Sequence, residues 1–257
     1  MEIELKENER IDDLQLNSLK IIQNINGFCF GIDSVLLSDF AKDIPSSSTV
    51  LDLGTGTGIL GILLCEKTEL SKIYGIEVQK DVSDMASRSI KLNNLEDKFK
   101  ILNDNIKNLP NYFKECSFDA IVSNPPYKKD NSGIKNESEI KLISRHEITA
   151  SLEDFISISS RLLKSNGNLY MVHRPERLAD LFYLLRKYHL EPKKLRMVHS
   201  HFDSKPKLIL VKAIKNAKSF LNIEKPLIIY NNDGTYTDEI FKIYNKEKSE
   251  KNNREDW

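Results

Sequence analysis

Val50-Leu51-Asp52-Leu53-Gly54-Thr55-Gly56-Thr57-Gly58 decides the fold, together with the mostly apolar stretch Ile59 to Glu66 that follows it. A short buried strand runs into a glycine loop, and the loop opens a helix. Glycine at three alternate positions lets the backbone take positive φ and approach a ligand closely. The loop has no Gly-Lys-Ser/Thr ending, so it is not the phosphate loop of NTPases. It is not a clean dinucleotide fingerprint either, because the third glycine comes one residue early. Asp52 stands just ahead of it. A pyrophosphate avoids a carboxylate there, whereas a ligand with cationic groups suits one.

Strands and helices alternate from this point on. Strands are expected over Lys72 to Glu77, Phe99 to Leu102, Phe118 to Ser123 and Asn168 to Val172. Helices are expected over Asp81 to Leu92, Leu152 to Leu163 (closed by Gly167) and Arg177 to Tyr188, with Pro192 after the last. Lys194 to His199 and Lys207 to Ile214 complete seven strands. Such alternation predicts an α/β fold, with a mostly parallel sheet covered by helices on both faces. The last two strands are joined by a short loop, so one of them is antiparallel. Ahead of this unit, Leu19 to Ile22 and Phe28 to Phe30 flank Asn26-Gly27, a type I′ turn signal, and predict an N-terminal β-hairpin. Asp33 or Ser34 then reads as the N-cap of a helix over Val35 to Ala41. The expected organisation is a hairpin and helix over 1–45, a main domain over 46–220 and a small extension over 221–257, with a charged end that frays from about Asn245.

Composition narrows the class. Lys+Arg and Asp+Glu are 38 each, so no global field attracts a polyanion, and any such partner must meet a local patch. Cys29, Cys65 and Cys116 match no disulfide or zinc spacing, which points to a reducing cytosol and to no metal. The charged start Met1 to Lys6 is no secretory signal, and no apolar run reaches the length of a membrane span. A monomer and a homodimer are both compatible with the chain.

The chemistry is carried by Asn124-Pro125-Pro126-Tyr127 at the exit of the strand Phe118 to Ser123. Two prolines cannot continue a sheet, because each lacks a ladder N–H. They make a stiff turn holding an amide, a bare carbonyl and an aromatic ring in fixed relation. Such a set can grip a flat, neutral amine with two acceptors and a stacking surface. Glu77, about 19 residues beyond Gly58, can accept both hydroxyls of a ribose. In Asn103-Asp104-Asn105, one side chain could receive the amino group of an adenine ring.

Together these residues resemble the class I methyltransferases that use S-adenosylmethionine, with their Rossmann-like fold. The stretch Asp52 to Gly58 is similar to the first motif, Glu77 to the second acidic position, and Asn124 to Tyr127 to the catalytic motif. Lys20 to Gln23, Gly27 to Asp33 and Leu36 to Asp39 resemble the tRNA adenine-N6 methyltransferases, whose characterised members modify an adenine beside the anticodon of a valine tRNA. Ser144 to Glu147 and His173-Arg174-Pro175-Glu176-Arg177 resemble a Gram-positive-type branch. The resemblance implies a cofactor site of Asp52, Gly54, Thr55, Gly56, Gly58, Glu77, Val78 and Asn124. Where that family has Asp followed by Ile, this chain has Asn105-Ile106, so the adenine contact falls to Asn105 or to Asp104 one residue earlier.

The implied reaction places one amine hydrogen on the Asn124 oxygen and one on the Pro125 carbonyl, with Tyr127 stacking on the extruded base. Lys128, Lys129, Lys135, Lys141, Arg145 and His146 lie after the motif, placed to meet phosphates. Lys193, Lys194, Arg196, Lys205 and Lys207 form a second candidate patch, and His146 and His173 read as structural rather than catalytic. A protein glutamine-N5 methyltransferase can use the same four residues, as can other rRNA or DNA amino-methyltransferases. The helical domain that such glutamine enzymes carry ahead of the glycine loop is not predicted here. An NAD-type oxidoreductase and a catalytically silent nucleotide-binding module are the readings from other classes.

Overall fold

Near-continuous burial along the central strands builds the protein around one sheet covered on both faces. The computed structural model describes residues 3–27, 31–127 and 150–246. Eleven strands are described: β1 Glu9–Asp13, β2 Lys20–Asn24, β3 Thr49–Leu53, β4 Lys72–Glu77, β5 Phe99–Asn103, β6 Phe118–Ser123, β7 Leu163–His173, β8 Leu190–His199, β9 Pro206–Lys215, β10 Asn222–Ile223 and β11 Leu227–Ile228. Six α-helices accompany them: α1 Ile32–Phe40, α2 Ile59–Lys67, α3 Lys80–Leu92, α4 Leu152–Leu162, α5 Leu178–Lys187 and α6 Asp238–Ile243. The sheet order is β10-β8-β9-β7-β6-β3-β4-β5, with β11 also on β8. Only β9 runs against its neighbours. The mostly parallel seven-stranded sheet with one reversed strand is therefore present, and β10 and β11 extend its edge to nine.

The period-two rule assigns the faces. Val50, Ile73, Ala120, Val122, Tyr170 and Val172 pack toward α1 and α2. Leu51, Leu53, Ile76, Ile121, Leu169 and Met171 pack toward α4 and α5. Both layers are dry, so the polar chemistry is pushed to the strand ends.

Four local expectations need correction. The N-terminal hairpin pairs β1 with β2, Glu9 opposite Asn24 and Asp13 opposite Lys20. The turn after β2 is centred one residue early, on Ile25-Asn26, with the Gly27 N–H donating to Asn24 O at 3.0 Å; neither Asn26 nor Gly27 has the positive φ of a type I′ turn, and β2 takes its partner from upstream. Phe28 to Phe30 lie outside the described residues. The N-cap of α1 is Gly31, not Asp33 or Ser34, and no side chain caps it. Gly167 does not close α4. The strand β7 begins at Leu163, directly after the helix, and Gly167 lies in a bulge where the register passes from Phe118↔Leu163 to Ala120↔Asn168. Pro192 sits inside β8 at another register shift, one of the places a sheet accepts proline. Helix α6, unread in the sequence, packs on α1 and β11.

The hairpin rests on α3. The Ile22 N–H donates to Ser89 Oγ at 2.9 Å, and Asn93 bonds both ways with the Lys20 backbone. Arg88 reaches both oxygens of Glu9 at 2.6 and 2.7 Å, and Asp84 at 2.9 Å.

Candidate active site

The loop between β3 and α2 takes the shape its glycines permit: Gly54, Gly56 and Gly58 have φ of +72°, +57° and +88°. A Cβ at Gly56 would meet nothing within 4 Å, so that residue faces open space. The turn is pinned from below. The Thr55 N–H donates to Ile76 O at 3.0 Å, and Thr55 Oγ1 to Asp52 Oδ2 at 2.6 Å. Glu77 accepts from Gly56 N at 3.2 Å and Gln79 N at 2.9 Å.

Asp52 and Glu77 are buried at 1% and 3% exposure, and among the described residues neither has a cationic side chain in ion-pair range. Burial drives the Asp52 carboxyl up to about 7; the bond from Thr55 opposes this and the charge of Glu77 adds to it. Two buried carboxylates without a protein cation form a donor set for a ligand that brings positive charge and hydroxyls. A pyrophosphate is repelled by the same pair. The residues therefore fit S-adenosylmethionine.

At the end of β5, Asp104 and Asn105 both bond within their own turn. Asp104 is half-buried, and bonds from the Tyr112 hydroxyl, Asn108 and the Asn105 N–H hold its carboxyl low. The Asn105 oxygen accepts from Lys107 N at 3.0 Å, capping the 3-10 helix Ile106–Asn111. Asn103 is exposed and ties the end of β5 to the end of β4, donating to Glu77 O at 2.8 Å and Val78 O at 3.2 Å. It was grouped in the sequence with its two neighbours, and only the β4–β5 pairing, Glu77 opposite Asn103, separates it from them.

Asn124 follows β6, whose Ser123 lies opposite Leu53, so the motif turn stands beside the start of the glycine loop. Ser123 Oγ ties the two ends by donating to Leu53 O at 2.9 Å. The motif side chains are gripped by the first turn of α1. The Tyr127 hydroxyl lies 2.9 Å from Asp33 Oδ2 and 2.7 Å from Asn124 Oδ1, and Asn124 Nδ2 lies 3.2 Å from Ser34 Oγ. A phenol has one proton, so the two oxygens compete for it. The charged carboxylate is the stronger acceptor, and Asn124 Oδ1 keeps capacity for an incoming N–H. Burial first, and then the Asp33 charge, push the Tyr127 phenol well above its ordinary range, so it stays protonated.

The Tyr127 ring is not bare. His173 packs edge-on at 5.4 Å, and the Arg174 guanidinium lies over the ring at 4.9 Å. Burial first, then the charge of Arg177, lower His173 to about 4, so the ring is neutral; its Nδ1 accepts the Arg174 N–H at 2.8 Å. Asp33, Ser34 and Arg174 had no site role in the sequence reading. The Asp-Ser pair before an apolar run looked like helix capping, and the alternative use needed the tertiary contact.

Lys128, Lys129, Lys135, Lys141, Arg145 and His146 lie outside the described residues. The second basic patch is split. Lys194 pairs with Asp43 and Glu224, Arg196 with Glu239, and Lys193 bonds Lys218 O. Lys205 and Lys207 lie at the opposite end of β8 and β9, on the rim that carries Asn124. Among the described residues no cluster suits a metal ion, and no helix is long and apolar enough to cross a membrane.

Residues 31–186 match the model of the methyltransferase small domain family. The tRNA1(Val) (adenine(37)-N6)-methyltransferase of Porphyromonas gingivalis is 31% identical over 185 residues, covering 70% of this chain and 72% of the relative. The relative of that name from Flavobacterium johnsoniae is 25% identical over 229 residues, covering 89% and 96%. Among solved structures, a predicted O-methyltransferase from Agrobacterium tumefaciens superposes with a TM-score of 0.67 at 19% identity, covering 83% of this chain and 95% of that one. The tRNA m1G37 methyltransferase of M. jannaschii gives 0.57 at 15% identity, covering 82% and 58%.

Proposed function

The chain belongs to the methyltransferase small domain family, among the tRNA (adenine-N6) methyltransferases, and from that premise we propose how its residues transfer a methyl group from S-adenosylmethionine to the N6 amine of an adenine in a valine tRNA. One observation carries the assignment of roles. An Asn-Pro-Pro-Tyr turn, its amide oxygen shared with the Tyr127 hydroxyl at 2.7 Å, stands beside a glycine loop floored by two buried carboxylates.

Bound over that loop, S-adenosylmethionine supplies an electrophilic methyl group. Glu77 receives the ribose hydroxyls, and the Asp52 side meets the cationic amino-acid end. Asn103 holds the Glu77–Val78 backbone in place. Asn124 Oδ1 and the Pro125 carbonyl accept the two amine hydrogens, which turns the nitrogen lone pair out of the adenine ring. Pro126 stiffens the turn; both prolines are trans. Net hydrogen-bond contributions of about 0.5–1.5 kcal/mol each are small beside the roughly 7–11 kcal/mol that holding two reactants in a near-attack pose can supply. Positioning therefore dominates, and no strong base is needed before transfer.

The test is incubation with labelled S-adenosylmethionine and total tRNA, followed by nucleoside mass spectrometry. N6-methyladenosine is expected from the wild type. Asn124→Ala is expected to lose at least 100-fold in rate while binding S-adenosylhomocysteine normally. Transfer at the wild-type rate by Asn124→Ala removes the amide from its role. Methylation of a protein glutamine instead of RNA moves the substrate to the alternative reading.

A further inference from the structure

Arg174 is the one arginine among the described residues with no carboxylate within 4.0 Å. It is exposed, and its only described side-chain hydrogen bond is a long one, from Nη1 to Lys207 O at 3.3 Å. Its guanidinium nevertheless lies on the Tyr127 ring, 4.9 Å from the centroid. The mount is stiff: Arg174 caps a 3-10 helix whose first residue is Pro175, with φ −78° and ψ 142°. The buried His173 ring accepts its backbone N–H.

An adenine cannot enter between these groups as they stand. Two ring contacts at about 3.5 Å each need about 7 Å of separation, against 4.9 Å to the ring centroid. The base must displace the guanidinium to stack on Tyr127, which breaks only the cation–π contact and the long bond to Lys207. A displaced guanidinium then needs an anion. The nearest one that an extruded nucleotide brings is its own or a neighbouring phosphate, which the planar fork of Arg can bind bidentately.

Lys205 and Lys207 continue the same rim, and neither has a carboxylate partner among the described residues. Phe202, 85% exposed, stands in the same loop. Glu176 and Asp203 share this rim, so its excess of positive charge is small. Interleaved cations and an exposed aromatic ring are what a single nucleic-acid strand needs.

We infer that Arg174, with Lys205 and Lys207, binds the RNA phosphodiester backbone beside the target adenine, and that Arg174 covers the stacking face of Tyr127 until the base replaces it. This rests on the proposed function and names the protein surface that its RNA substrate occupies. It also gives a use to the His173–Arg177 segment, which the reaction scheme leaves idle.

The experiment first establishes N6-methyladenosine formation by the wild type on a valine tRNA transcript; failure there strikes the proposed function, not Arg174. Arg174→Ala and Arg174→Lys are then compared with wild type for kcat, KM and the salt dependence of transcript binding. Arg174→Ala is expected to raise KM for tRNA about tenfold. It should also flatten the slope of log K against log salt by about 0.7–0.9, the share of one phosphate contact. S-adenosylhomocysteine affinity should stay within twofold. Arg174→Lys should keep the salt slope. An unchanged KM and slope in Arg174→Ala would overturn the inference. So would a loss confined to kcat, which is the signature of a residue that merely props Tyr127.

Discussion

Asp52 shows at the scale of one residue how burial becomes a ligand preference. Its carboxyl sits at about 7 when folded against an ordinary 3.8. Between those values the native protein holds a proton that the unfolded chain has released. The stability this proton confers is complete below about pH 4 and is lost as pH rises through 7. A ligand whose ammonium group lies beside Asp52 reverses the preference, because it favours the carboxylate and expels the proton. Affinity for S-adenosylhomocysteine is therefore expected to rise between pH 5 and 7, by up to about tenfold per pH unit, and to level off above. Asp52→Asn keeps the bond with Thr55 and should abolish the pH dependence. Calorimetric titration at several pH values checks this, and an equal slope in both proteins removes Asp52 from the role. The acidic side chain was legible in the sequence. Its protonation was not, because it depends on how completely α2 and β4 seal it from water.

Elements were most legible where one local rule had no competitor. Strands β4 and β6 have the limits that their apolar runs predict. The N-terminal hairpin is present, but its first strand was missed because β1, Glu-Arg-Ile-Asp-Asp, has no alternating apolar pattern; it is held by its ladder to β2 and by Arg88. Gly167 misled because a glycine near a helix end usually marks a cap, while here strand pairing had already ended the helix. The glycine in β4 went unremarked, yet it fixes how the cofactor loop sits. A Cβ at Gly75 would lie 2.8 Å from Ile101 Cδ1 and 2.9 Å from the Thr55 side chain. Overpacking of this kind costs about 1–3 kcal/mol. Gly75→Ala is expected to lower the urea midpoint accordingly and, by lifting Thr55, to weaken S-adenosylhomocysteine binding severalfold. Full affinity in the folded variant would show that the loop does not depend on this contact.

At the scale of the whole molecule, the site is assembled from segments distant in the chain: α1, the β3 loop, the β6 turn, the end of β7 and the β8–β9 loop. The hairpin is clamped to α3 by Arg88, 17% exposed in its side chain, on Glu9, 6% exposed. A surface pair is worth about 0–1 kcal/mol and breaking a buried one costs about 3–5 kcal/mol. Arg88→Ala should fall between these, at about 1–3 kcal/mol by urea unfolding, with Glu9 left only its bond from the Lys6 N–H. A change under half a kcal/mol would mean that the Ile22–Ser89 and Lys20–Asn93 bonds hold the hairpin by themselves. The sequence by itself determined the alternating α/β order, the reversed late strand, the glycine loop with its acids and the motif turn, because each follows from residues adjacent in the chain. Only the tertiary structure decided that Asp33 and Ser34 grip Tyr127 and Asn124, that Asn103 ties the end of β5 to Glu77 and Val78, and that Arg174 covers the ring. Those are contacts between side chains whose separation along the chain is unrelated to their distance in space, and hydrophobic packing of the intervening layers is what sets that distance.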